Sequence, residues 1–104
     1  MITVNVLYRN TGTLQFNMNY YLDTHIPLIR KLLGGALKGA LVQQGTAGGA
    51  PGSAPEFAVI TVLSFESMEA FQAAFAPHAG AVMADVANFT NEPPTLQFNT
   101  VRAE

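Results

Sequence analysis

The order in which strand-like and helix-like patterns follow one another is what most constrains the fold of this chain. Apolar and polar residues alternate at the start, as in a half-buried strand, and a helical spacing of apolar residues follows. The patterns predict strands over 2–8, 36–44, 57–65 and 95–102, and helices over 18–33 and from 68. The order β-α-β-β-α-β predicts an α+β, ferredoxin-like subunit, an antiparallel sheet with both helices on one face. A single domain, 1–104, accounts for the whole length.

Capping residues set the expected ends of the helices. Asn17 is a good N-cap for the first helix, and Gly34-Gly35 are expected to end it. Ser67 is expected to cap the second helix, with Glu69 near its positive end.

The low charge of the chain predicts that part of its surface is covered. Charged residues make up 12% of the sequence and hydrophobic residues 49%, whereas soluble domains average about 25% charged residues. The third strand is apolar on both faces, with Ala58, Ile60 and Val62 expected to point away from the helices. Such a patch usually marks an interface, so we expect a homodimer joined sheet to sheet. The alternative is a monomer with an apolar sheet face.

Composition excludes several classes of function. The chain has no cysteine, which rules out disulfide, thiolate and zinc–thiolate chemistry. Its net charge of −2 and five scattered basic residues indicate no nucleic-acid partner. The first residues read as a strand, and no apolar run approaches the roughly 18 residues of a membrane span. We therefore expect a cytoplasmic protein that binds neither nucleic acid nor membrane.

The segment 19–30 breaks a rule of helix formation beside a titratable ring. It contains two tyrosines, His25 and Pro27, and a proline inside a helix removes one backbone hydrogen bond. If the helix continues through Pro27, the carbonyl of Asp23 loses its partner. We expect this free carbonyl either to orient the His25 ring by accepting its N–H or to bind a ligand.

Four residues are candidates for a site between the sheet and the helices, and a fifth is a candidate at its mouth. His25 is the candidate general acid or base, because an imidazole titrates near neutral pH. Tyr21, one turn earlier on the same face, and Tyr20 are candidates to hydrogen-bond a substrate oxygen. His78, which follows a proline in the second helix, is a candidate second polar group in the same cavity. The alternative is that both histidines are structural, each bonded to a helix carbonyl.

Asn88 is a candidate substrate-binding residue at the mouth of the pocket, although turn chemistry also explains it. A carboxylate–histidine dyad is not expected, because Asp23 lies on a different helix face from His25. The two histidines with Asp23 or Asp85 match no metal-ligand spacing. No nucleotide-binding motif is present either, so we expect neither a metal nor another cofactor.

Three segments together resemble the EthD family, namely 20–28, 75–79 and 88–91. The resemblance implies a ferredoxin-like subunit whose homodimer forms a dimeric α+β barrel. It also implies a link to ethyl tert-butyl ether degradation, in which a family member accompanies a cytochrome monooxygenase system under a loose oxidoreductase label. Asn17 and Asn19 stand where acidic residues are expected, which argues against a role for carboxylates at the start of the first helix.

Three functions remain open at this point. The first is a cofactor-free enzyme, similar to an isomerase or cyclase, in which His25 moves a proton on a small apolar oxygenated compound. The second is a non-catalytic binding or accessory protein for a monooxygenase system. The third is a dimerisation domain without a ligand.

Overall fold

The computed structural model describes all residues, 1–104, and contains four strands and two helical segments. The strands are β1 (Ile2–Arg9), β2 (Gly39–Gln44), β3 (Phe57–Phe65) and β4 (Thr95–Thr100). The first helical segment consists of α1 (Met18–Tyr20), a π-helical turn (Tyr21–His25), α2 (Ile26–Leu33) and a 3-10 turn (Gly34–Ala36). The second consists of α3 (Met68–Phe75), a 3-10 turn (Ala76–His78) and α4 (Ala79–Val86). None of these helices combines the length and apolar character needed to cross a membrane.

The four strands form one antiparallel sheet in the order β2-β3-β1-β4. Val4 in the middle of β1 lies opposite Leu63 of β3 and Phe98 of β4. The buried side chains of β1 and β3 all lie on the face that packs against the helices. The predicted ferredoxin-like α+β fold is thus confirmed.

The predicted caps are confirmed as well. The Asn17 side chain accepts a hydrogen bond from the Tyr20 amide, and the Ser67 side chain accepts one from the Ala70 amide. The helix α2 ends at Leu33, and Gly34 follows with a φ of 55°, which favours glycine.

Three strand boundaries differ from the prediction. The first strand extends one residue further than predicted, to Arg9, which pairs with Phe57 after an irregularity in the register. The second strand begins at Gly39 instead of residue 36, because the chain continues from α2 into a 3-10 turn at Gly34–Ala36. The last strand ends at Thr100 instead of residue 102. This strand pairs only with β1. The first residue of β1, Ile2, lies opposite Thr100, so the residues after Thr100 have no strand partner.

The core lies between the sheet and the helices. Its most completely buried aromatic side chains are Tyr8, Tyr21 and Phe65, each at most 2% exposed. Three polar residues are buried, namely Thr61 on β3, His25 on the first helical segment and Thr90 in the loop before β4. Burying a polar group costs free energy unless it is hydrogen-bonded, so the partners of Thr61 and His25, the two most buried of the three, locate the candidate site.

Candidate functional site

His25 is the last residue of the π-helical turn. In this turn the Ile26 amide donates to the carbonyl of Tyr21, five residues back. Pro27 follows in the first turn of α2, a position where a missing amide hydrogen is tolerated. π-Helical turns are rare and frequently occur at functional sites. Here the turn places His25 on the inner face of the helix, where it is 3% exposed.

The partner of His25 is Asp85, on α4 in the second helical segment. The Nδ1 atom of His25 lies 2.8 Å from Oδ2 of Asp85. This corrects two expectations. The carbonyl of Asp23 does not orient the ring, and a carboxylate–histidine dyad does exist. The dyad was missed because its members lie 60 residues apart and meet only where the two helical segments pack together.

Two further donors hold the Asp85 carboxylate. The Tyr20 hydroxyl donates to Oδ1 at 2.7 Å, and the Asn88 side-chain amide donates to the same oxygen at 2.9 Å. Burial by itself would raise the pKa of Asp85, but the hydrogen bonds from Tyr20, Asn88 and His25 outweigh it and hold that pKa below its ordinary value of 3.8. The carboxylate is therefore ionised at neutral pH.

An ionised carboxylate only accepts hydrogen bonds, which assigns the tautomer of His25. The proton lies on Nδ1, so in the neutral ring Nε2 carries a lone pair and acts as an acceptor. No side chain of the protein bonds to Nε2, and no fully buried polar side-chain atom is without a partner. The Nε2 atom therefore reaches open space, and His25 lines a cavity.

Two aromatic rings restrict the orientation of the imidazole. The Tyr21 ring stacks on it, with the centroids 5.4 Å apart and the planes at 18°. The Phe89 ring lies 4.5 Å away at 53°. The imidazole is thus held by its carboxylate partner and by packing.

The cavity lies between the helix-facing side of the sheet and both helical segments, and 13 of its 16 lining residues are hydrophobic. Its volume is about 60 Å³, more than the roughly 10–15 Å³ that a single water needs. Met83 and Leu96 line the cavity and are 50% and 46% exposed, so they lie at its mouth. Apolar walls with a few polar groups are typical of small-molecule sites.

A group of hydroxyls forms the second polar feature of the cavity wall. The Tyr21 hydroxyl lies 2.6 Å from Oγ1 of Thr61, which is 1% exposed. Burial is the main cause that raises the pKa of Tyr8 and of Tyr21, and the neighbouring Tyr21 phenol raises that of Tyr8 further. Both tyrosines are therefore neutral donors at neutral pH.

The structure brings together some of the predicted site residues and not others. His25 and Tyr21 line the cavity. Tyr20 and Asn88 do not line it and instead contact Asp85 from outside. His78 lies in the 3-10 turn, half-buried, without a side-chain hydrogen bond and away from the cavity, so the two histidines do not share it.

Sequence reasoning missed Asp85, Thr61 and Tyr8. One signal for Asp85 was present, because it is the only acidic residue between Glu69 and Glu92. Nothing in the strand patterns singles out the other two. No three histidine, aspartate or glutamate side chains cluster as potential metal ligands.

The fold and the site together define the class of protein. It is a ferredoxin-like α+β protein with helices on one face of the sheet and a carboxylate–histidine pair beside an internal apolar cavity. The EthD domain model matches residues 12–93. The chain therefore belongs to the EthD family.

The solved structures that resemble this one include two family members. An EthD-like protein from Ralstonia eutropha JMP134 is 37% identical, with a TM-score of 0.93, over 99% of this chain and 93% of that one. An ethyl tert-butyl ether (EthD) family protein from Bacillus halodurans C-125 is 22% identical, with a TM-score of 0.73, over 97% and 98% of the two chains. The second likeness supports the fold alone. No curated protein matches the chain.

Proposed function

We propose that the cavity binds a small, uncharged, mostly apolar oxygenated compound and that His25 transfers a proton to or from it. One observation carries the proposal. The free Nε2 of an imidazole held by a carboxylate faces a mostly apolar cavity. A positioned imidazole is the most common general acid or base in proteins.

The contacts of His25 suit proton transfer. When Nε2 takes a proton, the ring becomes an imidazolium, and the Asp85 carboxylate at 2.8 Å stabilises that charge. One hydroxyl hydrogen of the Tyr21–Thr61 pair is used in the contact between them, and the other is available to an oxygen on which negative charge develops. Acid–base catalysis of this kind contributes about 10²–10⁴-fold, and return of the proton to another atom of the compound completes an isomerisation without a cofactor.

The lining of the cavity, its mouth and the family suggest which compounds to test first. The apolar walls and the open mouth favour small apolar compounds such as a branched ether, its parent alcohol or a small lactone. One solved relative is described as an ethyl tert-butyl ether family protein. We extend that association to this chain as part of the proposal.

A second candidate function is binding without catalysis, as an accessory protein of a monooxygenase system. The feature that favours it is the apolar rim at the mouth, where Met83 and Leu96 are about half exposed. Such a rim suits the transfer of an apolar compound to a partner protein.

A ligand screen followed by a product assay separates these functions. Ethers, alcohols, lactones and phenols are tested by thermal shift, because a ligand at 100 times its Kd adds about 2.7 kcal/mol to stability. Each stabilising compound is then incubated with the protein and examined for products by NMR.

Paired histidine variants provide the control. We expect His25→Ala to lower turnover by at least about 10²-fold, whereas His78→Ala, the same change outside the cavity, leaves it unchanged. His25→Gln, which keeps a polar side chain, serves if the alanine variant unfolds. Stabilisation without product favours the accessory function. A folded His25 variant with full turnover would contradict the catalytic proposal.

A further inference from the structure

We propose that this site selects compounds that present a hydroxyl hydrogen, such as an alcohol or an enol, over ethers and other compounds that only accept hydrogen bonds. The inference rests on the proposed function and specifies the chemical class of its ligand. It follows from the direction of the hydrogen bonds around Asp85.

The first step is that Nε2 of His25 acts as a hydrogen-bond acceptor. Asp85 receives the Nδ1 proton of His25, so Nε2 offers a lone pair to the cavity. An alcohol O–H donates to this lone pair. An ether oxygen placed there would set one hydrogen-bond acceptor against another, with no hydrogen between them.

The second step concerns the remaining polar groups of the cavity wall. The Tyr21 hydroxyl and Oγ1 of Thr61 already bond to each other at 2.6 Å. This contact uses one of the two hydroxyl hydrogens, so one remains free. An ether can only accept that hydrogen, whereas an alcohol can accept it or donate its own hydrogen to Nε2, in either case without breaking a bond within the protein. We therefore expect an alcohol to bind about tenfold or more tightly than an ether of the same size.

The third step is that one substitution should reverse the preference. In Asp85→Asn, the oxygen that faces Tyr20 and Asn88 must remain an acceptor, because both neighbours donate to it. The new amide nitrogen then faces His25 and donates to Nδ1. The imidazole proton moves to Nε2, which becomes a donor toward the cavity.

A pair of isomers tests the inference. 2-Methyl-2-butanol and methyl tert-butyl ether have the same molecular formula, and only the alcohol carries an O–H. Their Kd values are measured by calorimetry at a pH where ¹⁵N NMR shows the His25 ring to be neutral. The ¹⁵N NMR shifts of His25 report its tautomer directly. Asp23→Asn, the same change at an exposed residue near His25 in sequence, is the control.

We expect the wild type and Asp23→Asn to bind the alcohol at least about tenfold more tightly, with Nδ1 protonated, and Asp85→Asn to prefer the ether. Equal affinities in the wild type, or a proton on Nε2, overturn the inference and leave the proposed function standing. If neither isomer nor any screened compound binds, both fail. The wild-type comparison stands even if Asp85→Asn does not fold.

Discussion

At the residue scale, the chemistry of the site depends on how Asp85 is satisfied. Three donors converge on its carboxylate, and only one of them, His25, also lines the cavity. Tyr20 and Asn88 are therefore positioning residues that act through Asp85. Their hydrogen bonds stabilise the ionised form and lower the pKa of this carboxyl group, although burial opposes them.

The lowered pKa of Asp85 predicts how stability depends on pH. A group whose pKa is lower in the folded state contributes stability above its ordinary value of 3.8 and loses that contribution as the pH falls through the folded value. We expect Asp85→Asn to be less stable than the wild type near neutral pH and to lose less stability in acid. Urea unfolding across this pH range measures both effects.

The control for this prediction is Asp23→Asn, because Asp23 is exposed and forms no side-chain hydrogen bond. Its acid dependence should parallel that of the wild type. Identical acid dependence in Asp85→Asn and the wild type would show that the Asp85 contacts contribute no net stability.

At the element scale, the first helical segment owes its shape to two departures from a regular α-helix. The π-helical turn Tyr21–His25 precedes Pro27, so the proline begins α2 instead of interrupting a continuous α-helix. At the other end, Gly34 takes φ 55° and ψ −136°, a region that side chains strongly disfavour. The segment therefore presents His25 inward and then turns toward β2.

The end of α2 provides a prediction with an adjacent control. Gly34→Ala should cost about 1–3 kcal/mol because of its positive φ, even though an added Cβ meets no atom within 4 Å. Gly35→Ala also meets no atom within 4 Å and lacks the positive φ, so we expect a change of no more than about 0.5 kcal/mol. Urea unfolding compares the two, and equal stabilities would contradict the backbone argument.

At the scale of the whole molecule, the helices cover only one face of the sheet. On the other face, Leu7 pairs with Ile60 in the register of β1 and β3. Leu41 lies opposite Val62 beside them and is 58% exposed. We propose that a second copy of the chain packs on this face, since a contiguous apolar patch commonly marks an interface.

The dimer proposal predicts the mass of the protein in solution. Light scattering after size exclusion should give twice the chain mass for the wild type. Ile60→Lys should give a monomer, because it places a charge in the centre of the face where the two sheets would pack. Met83→Lys introduces the same charged side chain at an exposed residue on the helix side, and this variant should remain a dimer. A monomeric wild type would contradict the proposal.

Short-range patterns explain why much of the fold was predictable. A nearly continuous apolar run predicted β3 over 57–65, and the caps at Asn17 and Ser67 predicted the starts of both helical segments. The prediction was less accurate where a strand boundary depends on pairing between strands that lie far apart in the sequence. The end of β4 depends on where β1 begins, and β1 lies at the opposite end of the chain.

The sequence by itself determined the order of the elements and hence the fold class. It also determined that His25 and Tyr21 are neighbours on one helix face. These outcomes were predictable because the patterns that carry them involve residues only a few positions apart. Only the tertiary structure decided what His25 bonds to, that Thr61 and Tyr8 join Tyr21, and that His78 lies away from the cavity. These depend on how two helical segments and a sheet pack in three dimensions. A hydrogen bond between residues 60 positions apart leaves no periodic pattern in the sequence.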